Sequence, residues 1–186
     1  AGVLTNLVYT NTVAPTGARF HTVHFTTDET SGVVNFVGEV LFGFPGSIYG
    51  LFQLTNGNVT TVFDTANTYF GDTFSGFGYP VRVGSEIVWG SQYFTNGVQK
   101  TGIFRWNGST LTTLVNSDVD LPGSLGNYGG SPEYSFKFDG QTVAFIGVAG
   151  IAANSPRGVY RSDLNGTLTK VVDVNDVIPG DPLNRT

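Results

Sequence analysis

The sequence predicts an all-β protein built from a repeated four-stranded antiparallel unit. One five-residue pattern, Leu/Val-Thr-x-Leu/Val-Val/Phe, occurs four times at offsets of 55, 52 and 57 residues, at 4–8, 59–63, 111–115 and 168–172. Alternating and β-branched runs fill the chain, whereas helical periodicity is almost absent. Asn-Gly pairs, the strongest short hairpin signal, precede three of the four copies. A period of this length is typical of stacked or radially arranged β-units.

Each unit is predicted to contain four strands in a meander. The first strands are predicted at 20–26, 79–84 and 133–138, and the second strands at 33–41, 86–94 and 141–148. The third strands are marked by a glycine followed by an apolar and an aromatic residue, at 50–52, 102–105 and 158–161. The fourth strand is the recurring pattern, and its alternation is expected to place Leu and Val on one face and Thr on the other.

The connections predict which strands are neighbours. Third and fourth strands are joined at Asn56-Gly57, Asn107-Gly108 and Asn165-Gly166, where a type I′ turn is expected. First and second strands meet at Gly84-Ser85 and Asp139-Gly140. The second-to-third connections at 91–101 and 150–157 differ in length, which suits an exposed loop. Long segments rich in Gly, Pro and aromatic residues lead from each fourth strand to the next unit.

This assignment of strands to units predicts a single β-repeat domain over 1–186, with about three propeller-like blades and one extra terminal strand. The repeat units cover about 18–66, 77–118 and 131–176, at a period of about 52–57 residues. An orphan strand lies within 1–12, and a tail covers 177–186. Three blades are fewer than the four to eight of a closed ring. Apolar faces and strand edges would therefore be left open at the ends.

Composition argues against several classes of function. Only 12% of the residues are charged, the net charge is −5, and nine basic residues are scattered over the chain, so no nucleic-acid surface is expected. Without cysteine, neither disulfides nor thiolate sites can form. The sequence contains no run of 18 apolar residues, so it predicts no transmembrane segment. A chain that begins at Ala1 and is poor in charge fits an extracellular or cell-surface protein after signal-peptide removal.

A composite motif joins these signals. It reads Gly-[Ile/Val]-[Phe/Tyr]-Arg, then Asn-Gly-[Ser/Thr]-Leu-Thr-x-[Leu/Val]-Val, then [Leu/Ile]-Pro-Gly, and it is cleanest at 102–123 and 158–180. In this motif the chain resembles the propeller-type repeats of large bacterial secreted and cell-surface proteins. The resemblance implies secretion and a β-repeat fold, and it implies no activity. The first two repeats depart from it, since Gln53 replaces the arginine and Phe70-Gly71 lacks the proline.

Aromatic and carboxylate side chains between the units are the candidate ligand groups. Tyr69, Phe74, Asn127 and Tyr128 could stack and hydrogen-bond a sugar, although packing between blades explains the same aromatics. Asp64, Asn116 and Asp173 follow the recurring strand at equivalent positions, which suggests calcium or, more simply, Asx turns. We therefore expect no cofactor, with calcium as the alternative.

Self-association is the function that this sequence predicts. We expect a non-catalytic extracellular structural protein that assembles through its terminal strands, by head-to-tail strand lending into a filament rather than by completion of a ring by two chains. The assembly residues would be Leu4, Leu7, Tyr9, Val171 and Ile178. The alternative is a carbohydrate-binding adhesion module. A hydrolase is disfavoured because no Gly-x-Ser-x-Gly elbow is present.

Overall fold

The protein is described by a computed structural model that covers residues 8, 12–25, 33–41, 46–123, 126–129, 136–149 and 156–177. This part of the chain is all-β, with several four-stranded antiparallel sheets and a curled half-barrel, which confirms the predicted fold class at that level. The part of the chain described contains no helix that is long and apolar enough to cross a membrane.

The first and third sheets are four-stranded meanders within the predicted units at 18–66 and 131–176. The first sheet contains β1 (Phe20–Phe25), β2 (Val33–Leu41), β3 (Ser47–Thr55) and β4 (Asn58–Asp64) in that order. The third sheet contains β13 (Phe136–Phe138), β14 (Thr142–Val148), β15 (Arg157–Asp163) and β16 (Leu168–Asp173) in that order. All neighbouring strands are antiparallel.

The second sheet is larger than predicted. Its strands are β5 (Thr68–Tyr69), β6 (Asp72–Phe77), β7 (Val81–Val83), β8 (Glu86–Thr95), β9 (Val98–Trp106) and β10 (Leu111–Asn116). Both β6 and β7 pair with β8, at opposite ends, so they are two segments of one strand that neighbours β8. The break between them contains Pro80, which has no N–H to donate to a ladder. The stretch 72–77, predicted as inter-blade loop, is therefore part of the sheet.

A short hairpin forms at the start of the second sheet, and another precedes the third sheet. β5 pairs with β6, and β11 (Asp120–Leu121) pairs with β12 (Gly126–Asn127). Before the first sheet, Val13 and Arg19 form a single antiparallel bridge at the corresponding position. The predicted inter-unit loops are thus locally paired backbone. This pairing satisfies main-chain groups that would otherwise lie unbonded between the sheets.

The turns agree with the prediction only in part. Asn56 and Gly57 have φ of 50° and 80°, as a type I′ turn requires. Asn107 and Asn165 do not have positive φ, so the turns at 107–110 and 164–167 are longer and only their glycines are left-handed. The predicted loop at 91–101 is wrong, because β8 and β9 run on to a two-residue turn at Asn96-Gly97.

Each fourth strand contains a β-bulge that sequence alternation did not predict. The register with the third strand shifts between Phe63 and Thr61, between Val115 and Thr113, and between Val172 and Lys170. The extra residue is Val62, Leu114 or Val171 at the same position of the recurring pattern. A bulge changes the face on which the following side chains lie. Consequently Leu114 and Val115, although adjacent in sequence, are both buried.

Three buried aromatic side chains recur on one face of every sheet, and we call each set an aromatic triad. The triads are Phe20–Phe36–Phe52, Phe74–Trp89–Phe104 and Tyr128–Phe145–Tyr160. In each triad the second and third rings are stacked on paired strands, at 5.5, 5.8 and 5.9 Å between centroids. The first ring meets the second edge-on, at 5.4, 6.0 and 5.8 Å. Edge-on and offset contacts are the favourable geometries for aromatic pairs.

The opposite face of each sheet has a row of cross-strand neighbours, which we call the outer row. The rows are Val37–Leu51–Phe63, Gly90–Ile103–Val115 and Ile146–Val159–Val172. Val37, Leu51 and Phe63 share a core with the second triad, and Ile103 and Val115 share a core with the third. Successive sheets therefore stack with the outer row of one on the triad of the next.

Gly147 illustrates how tightly a triad is packed. A Cβ atom at this position would lie 2.6 Å from the Tyr160 ring and 2.8 Å from Leu121 Cδ1, and both side chains are buried. We expect Gly147→Ala to destabilise the protein by about 1–3 kcal/mol in urea unfolding, because core overpacking forces the neighbours to shift. Gly76→Ala is the control, since its added methyl meets nothing within 4 Å. Equal stability of the two variants would contradict this packing.

Candidate functional site

The outer row of the third sheet is exposed, although the same row is buried in the other two sheets. Ile146, Val159 and Val172 are 47%, 37% and 46% exposed. The corresponding side chains of the first sheet, Val37, Leu51 and Phe63, are 5%, 0% and 1% exposed. The difference arises because the described chain provides no fourth triad to cover the third sheet. Contiguous exposed apolar side chains distinguish this face from the other described sheet faces.

A shallow cavity of about 350 Å³ lies over this row. Ile146, Val159, Val172 and Val174 form its apolar walls. Arg157 supplies charge at its edge, whereas the Asp173 carboxylate is buried and paired with Lys170. The surface is thus an apolar depression with a polar rim, as in a protein–protein interface.

Arg105 shows how the corresponding polar rim is used between the second and third sheets. Its Nε and Nη2 donate to the two Glu86 carboxylate oxygens at 2.6 and 2.8 Å, and Nη1 donates to the Leu164 carbonyl at 3.1 Å. The Glu86 hydrogen bond raises the pKa of Arg105. Since Leu164 lies in the next sheet's third-to-fourth turn, Arg105 connects two sheets. Arg161 occupies the same strand position on the exposed face of the third sheet.

The four predicted ligand residues do not form a shared binding surface. Phe74 and Tyr128 are 1% exposed and belong to two different aromatic triads, so neither presents a ring face to a sugar. Tyr69 is half-buried against Phe63, and its hydroxyl accepts a hydrogen bond from the Asp64 amide. Only Asn127 is exposed, and its side-chain amide donates to the Ser117 carbonyl. The alternative interpretation, packing between sheets, accounts for the three aromatics.

Four of the five predicted assembly residues lie outside the described residues: Leu4, Leu7, Tyr9 and Ile178. Val171 is described, and it is the exposed bulge residue of β16, 57% accessible beside the outer row. Sequence reasoning expected open apolar faces at the ends, but it did not name the residues of the exposed outer row. Its signal was the repeat itself, since the residues aligned with Val37, Leu51 and Phe63 are apolar in the last unit as well.

Each residue proposed for calcium uses its side-chain Oδ1 in a turn. Asp64 Oδ1 accepts from the amides of Ala66 and Asn67, as an Asx turn requires. Asn116 and Asp173 make the same bond to residues 118 and 175. Within the described ranges, no group of three or more His, Cys, Asp or Glu could hold a metal ion.

Glu86 and Arg82, two charged side chains on the strands of the second sheet, are used in separate structural bonds. Glu86 binds Arg105, and Arg82 Nη1 donates to Asn35 Oδ1 at 3.2 Å across the first and second sheets. Lys137 is exposed on β13, and Glu133 lies outside the described residues. Over the portion of the chain that the structure describes, these groups do not converge on one point.

A smaller cavity of about 160 Å³ lies at the rim between the first and second sheets. Tyr49, Phe77 and Tyr79 supply aromatic rings, and Glu39 supplies a carboxylate. Tyr49 and Glu39 are cross-strand neighbours, and their hydrogen bond raises the pKa of Tyr49. Tyr49 and Tyr79 are 42% and 38% exposed, so this site is accessible where the predicted one is not.

Comparisons with known proteins do not identify a family. No protein-family model matches the chain, and no curated protein matches it. The resemblance to secreted propeller-type repeats therefore stays a prediction.

The Arg105 contacts predict that replacing Arg105 lowers the stability of the protein more than replacing Lys100 does. We expect Arg105→Met to lower stability by roughly 1–2 kcal/mol, because it leaves the mostly buried Glu86 carboxylate unpaired and removes the bond to the third sheet. Lys100→Met should have no measurable effect, because the Lys100–Asp118 pair is at the surface. Chemical unfolding measures both. A Lys100 variant as unstable as the Arg105 variant would contradict this assignment.

Proposed function

We propose that this protein is a non-catalytic, extracellular structural module that associates end to end with copies of itself. Its sheets would be arranged as propeller-like blades, and the third sheet would present its outer row to the next copy. The exposure of Ile146, Val159 and Val172, at positions buried in the other sheets, is the observation that supports this proposal most directly. Burial of such side chains is the main driving force of association.

The mode of contact proposed here is the stacking of sheet faces. Val8, the described residue of the predicted orphan strand, packs against Phe20, Phe36 and Phe52 of its own chain. Val8 is therefore already buried within its own chain, which favours a contact between faces over a lent strand. A contact between two different faces either closes into a ring or propagates. We favour propagation into a filament, with a two-chain ring as the alternative, and electron microscopy distinguishes the two.

A charged substitution in the outer row tests the proposal. Val159→Asp should shift the protein from oligomer to monomer in sedimentation velocity over a concentration series, because the interface would bury an unpaired carboxylate. Val98→Asp is the matched control, since Val98 is 57% exposed at the tip of a distant hairpin. A wild-type protein that remains monomeric throughout, or a Val159 variant that still associates, would refute self-association through this face.

The small cavity between the first two sheets supports a second candidate, carbohydrate binding. Exposed tyrosine rings beside a carboxylate can stack a sugar and accept its hydroxyl hydrogen bonds. On a glycan array, Tyr49→Ala should then lose the signal of the wild type, whereas Phe94→Ala should retain it, because Phe94 is similarly exposed but outside this cavity. Absence of any wild-type signal, or equal binding by both variants, would exclude this function.

A further inference from the structure

The partner surface for the exposed outer row can be identified within the same chain. We propose that the outer row of the third sheet docks on the aromatic triad of the first sheet of a second copy, displacing Val8 of that copy from the cluster. This inference rests on the proposed self-association and specifies which two faces meet and what must leave.

The triad of the first sheet is built like the two triads that already receive an outer row. The Phe20 ring lies 5.4 Å from Phe36 and 4.9 Å from Phe52, with interplanar angles of 71° and 84°. In the second sheet, Phe74 lies 6.0 Å from Trp89 and 5.2 Å from Phe104, at 64° and 89°. Similar ring arrangements present similar surfaces. The triad of the second sheet packs against Val37–Leu51–Phe63, and the triad of the first sheet is its equivalent.

Val8 marks the present occupant of that surface. It lies 55 residues before Phe63, which is the offset of the repeat, and it is 5% exposed within the Phe20–Phe36–Phe52 cluster. Phe63 lies 5.0 Å from the Trp89 ring of the next triad. Val8 is therefore buried in the cluster of the first triad as Phe63 is in the cluster of the second. A complete outer row buries more apolar side chains than Val8 does, so it can replace the Val8 contact.

Arg161 supplies the polar contact of the proposed interface. The equivalent Arg105 donates to the carbonyl of Leu164 in the third-to-fourth turn of the following sheet. In the first sheet, that turn is Asn56-Gly57, whose backbone carbonyls are the expected acceptors for Arg161 of another copy. The contact joins different faces of two copies, which is a heterologous, head-to-tail arrangement.

Site-specific cross-linking tests which faces meet, and the absence of native cysteine gives a clean background. Within the chain, Phe63 lies 5.3 Å from the Trp106 ring, and the corresponding pair between copies is Val172 and Leu54. We expect a mixture of Val172→Cys and Leu54→Cys chains of different tag size to give a heterodimer with a short bismaleimide. Each variant alone should give no dimer. The double variant should give a ladder for a filament or a closed dimer for a ring.

The alternative outcomes are distinguishable. Dimers from Val172→Cys alone would indicate symmetric pairing of two third sheets; self-association would stand, and docking on the first triad would be wrong. Docking on the first triad is also wrong if the wild type associates but the mixture gives no heterodimer. If the wild type is monomeric and Val159→Asp changes nothing, the proposed function itself fails.

Removal of the N-terminal segment tests the displacement of Val8 directly. Deletion of residues 1–12 should tighten association by on the order of tenfold, since the competing apolar contact of Val8 is lost. Val8→Ser is the second variant, used if the truncated chain does not fold, and it should act in the same direction. Weaker association in either folded variant would indicate that the segment contributes to the contact with a neighbour, and it would overturn the displacement.

Discussion

Every sheet of this protein has two apolar faces, and the packing of one face on the next sheet determines the remaining architecture. One face has an aromatic triad and the other has a row of aliphatic or aromatic side chains. Neither face can be left in water without cost, so each sheet needs a neighbour on both sides. This requirement explains why the chain repeats, and it explains why the last outer row is the most unusual surface of the structure.

Two backbone features make the stacking geometrically feasible. Small residues lie beside the triads; at Gly38 and Gly147, for example, an added Cβ would approach a triad ring within 2.7 and 2.6 Å. The bulges at Val62, Leu114 and Val171 change the face of the fourth strand, so that Phe63, Val115 and Val172 complete the outer row. Polar links such as Arg105 to Leu164 then fix the relative position of adjacent sheets. The backbone thus determines which side chains face the neighbouring sheet, and these side chains can then pack closely.

Sequence reasoning succeeded where the signal was local and periodic. The recurring fourth strand and the Asn56-Gly57 turn follow from alternation and from the need for positive φ, and both are present. It failed where long-range pairing decided the outcome. Phe74 and Tyr128, assigned to ligand loops, are core residues because β6 and the bridge from Tyr128 to Ala149 extend the sheets into those loops. Side-chain type alone cannot distinguish a ring that packs from a ring that binds.

The sequence by itself determined the all-β class, the period of the repeat and the order of strands in the first and third sheets, because these depend on neighbours a few residues apart. Only the tertiary structure decided which face of each sheet is covered. That choice depends on bulges and on contacts between residues such as Phe63 and Trp89, which lie far apart in sequence. The four copies of one strand predicted repetition. Val172 is exposed, whereas the residues at the same position of the other copies, Val8, Phe63 and Val115, are buried, so the outer row of the third sheet is the uncovered one.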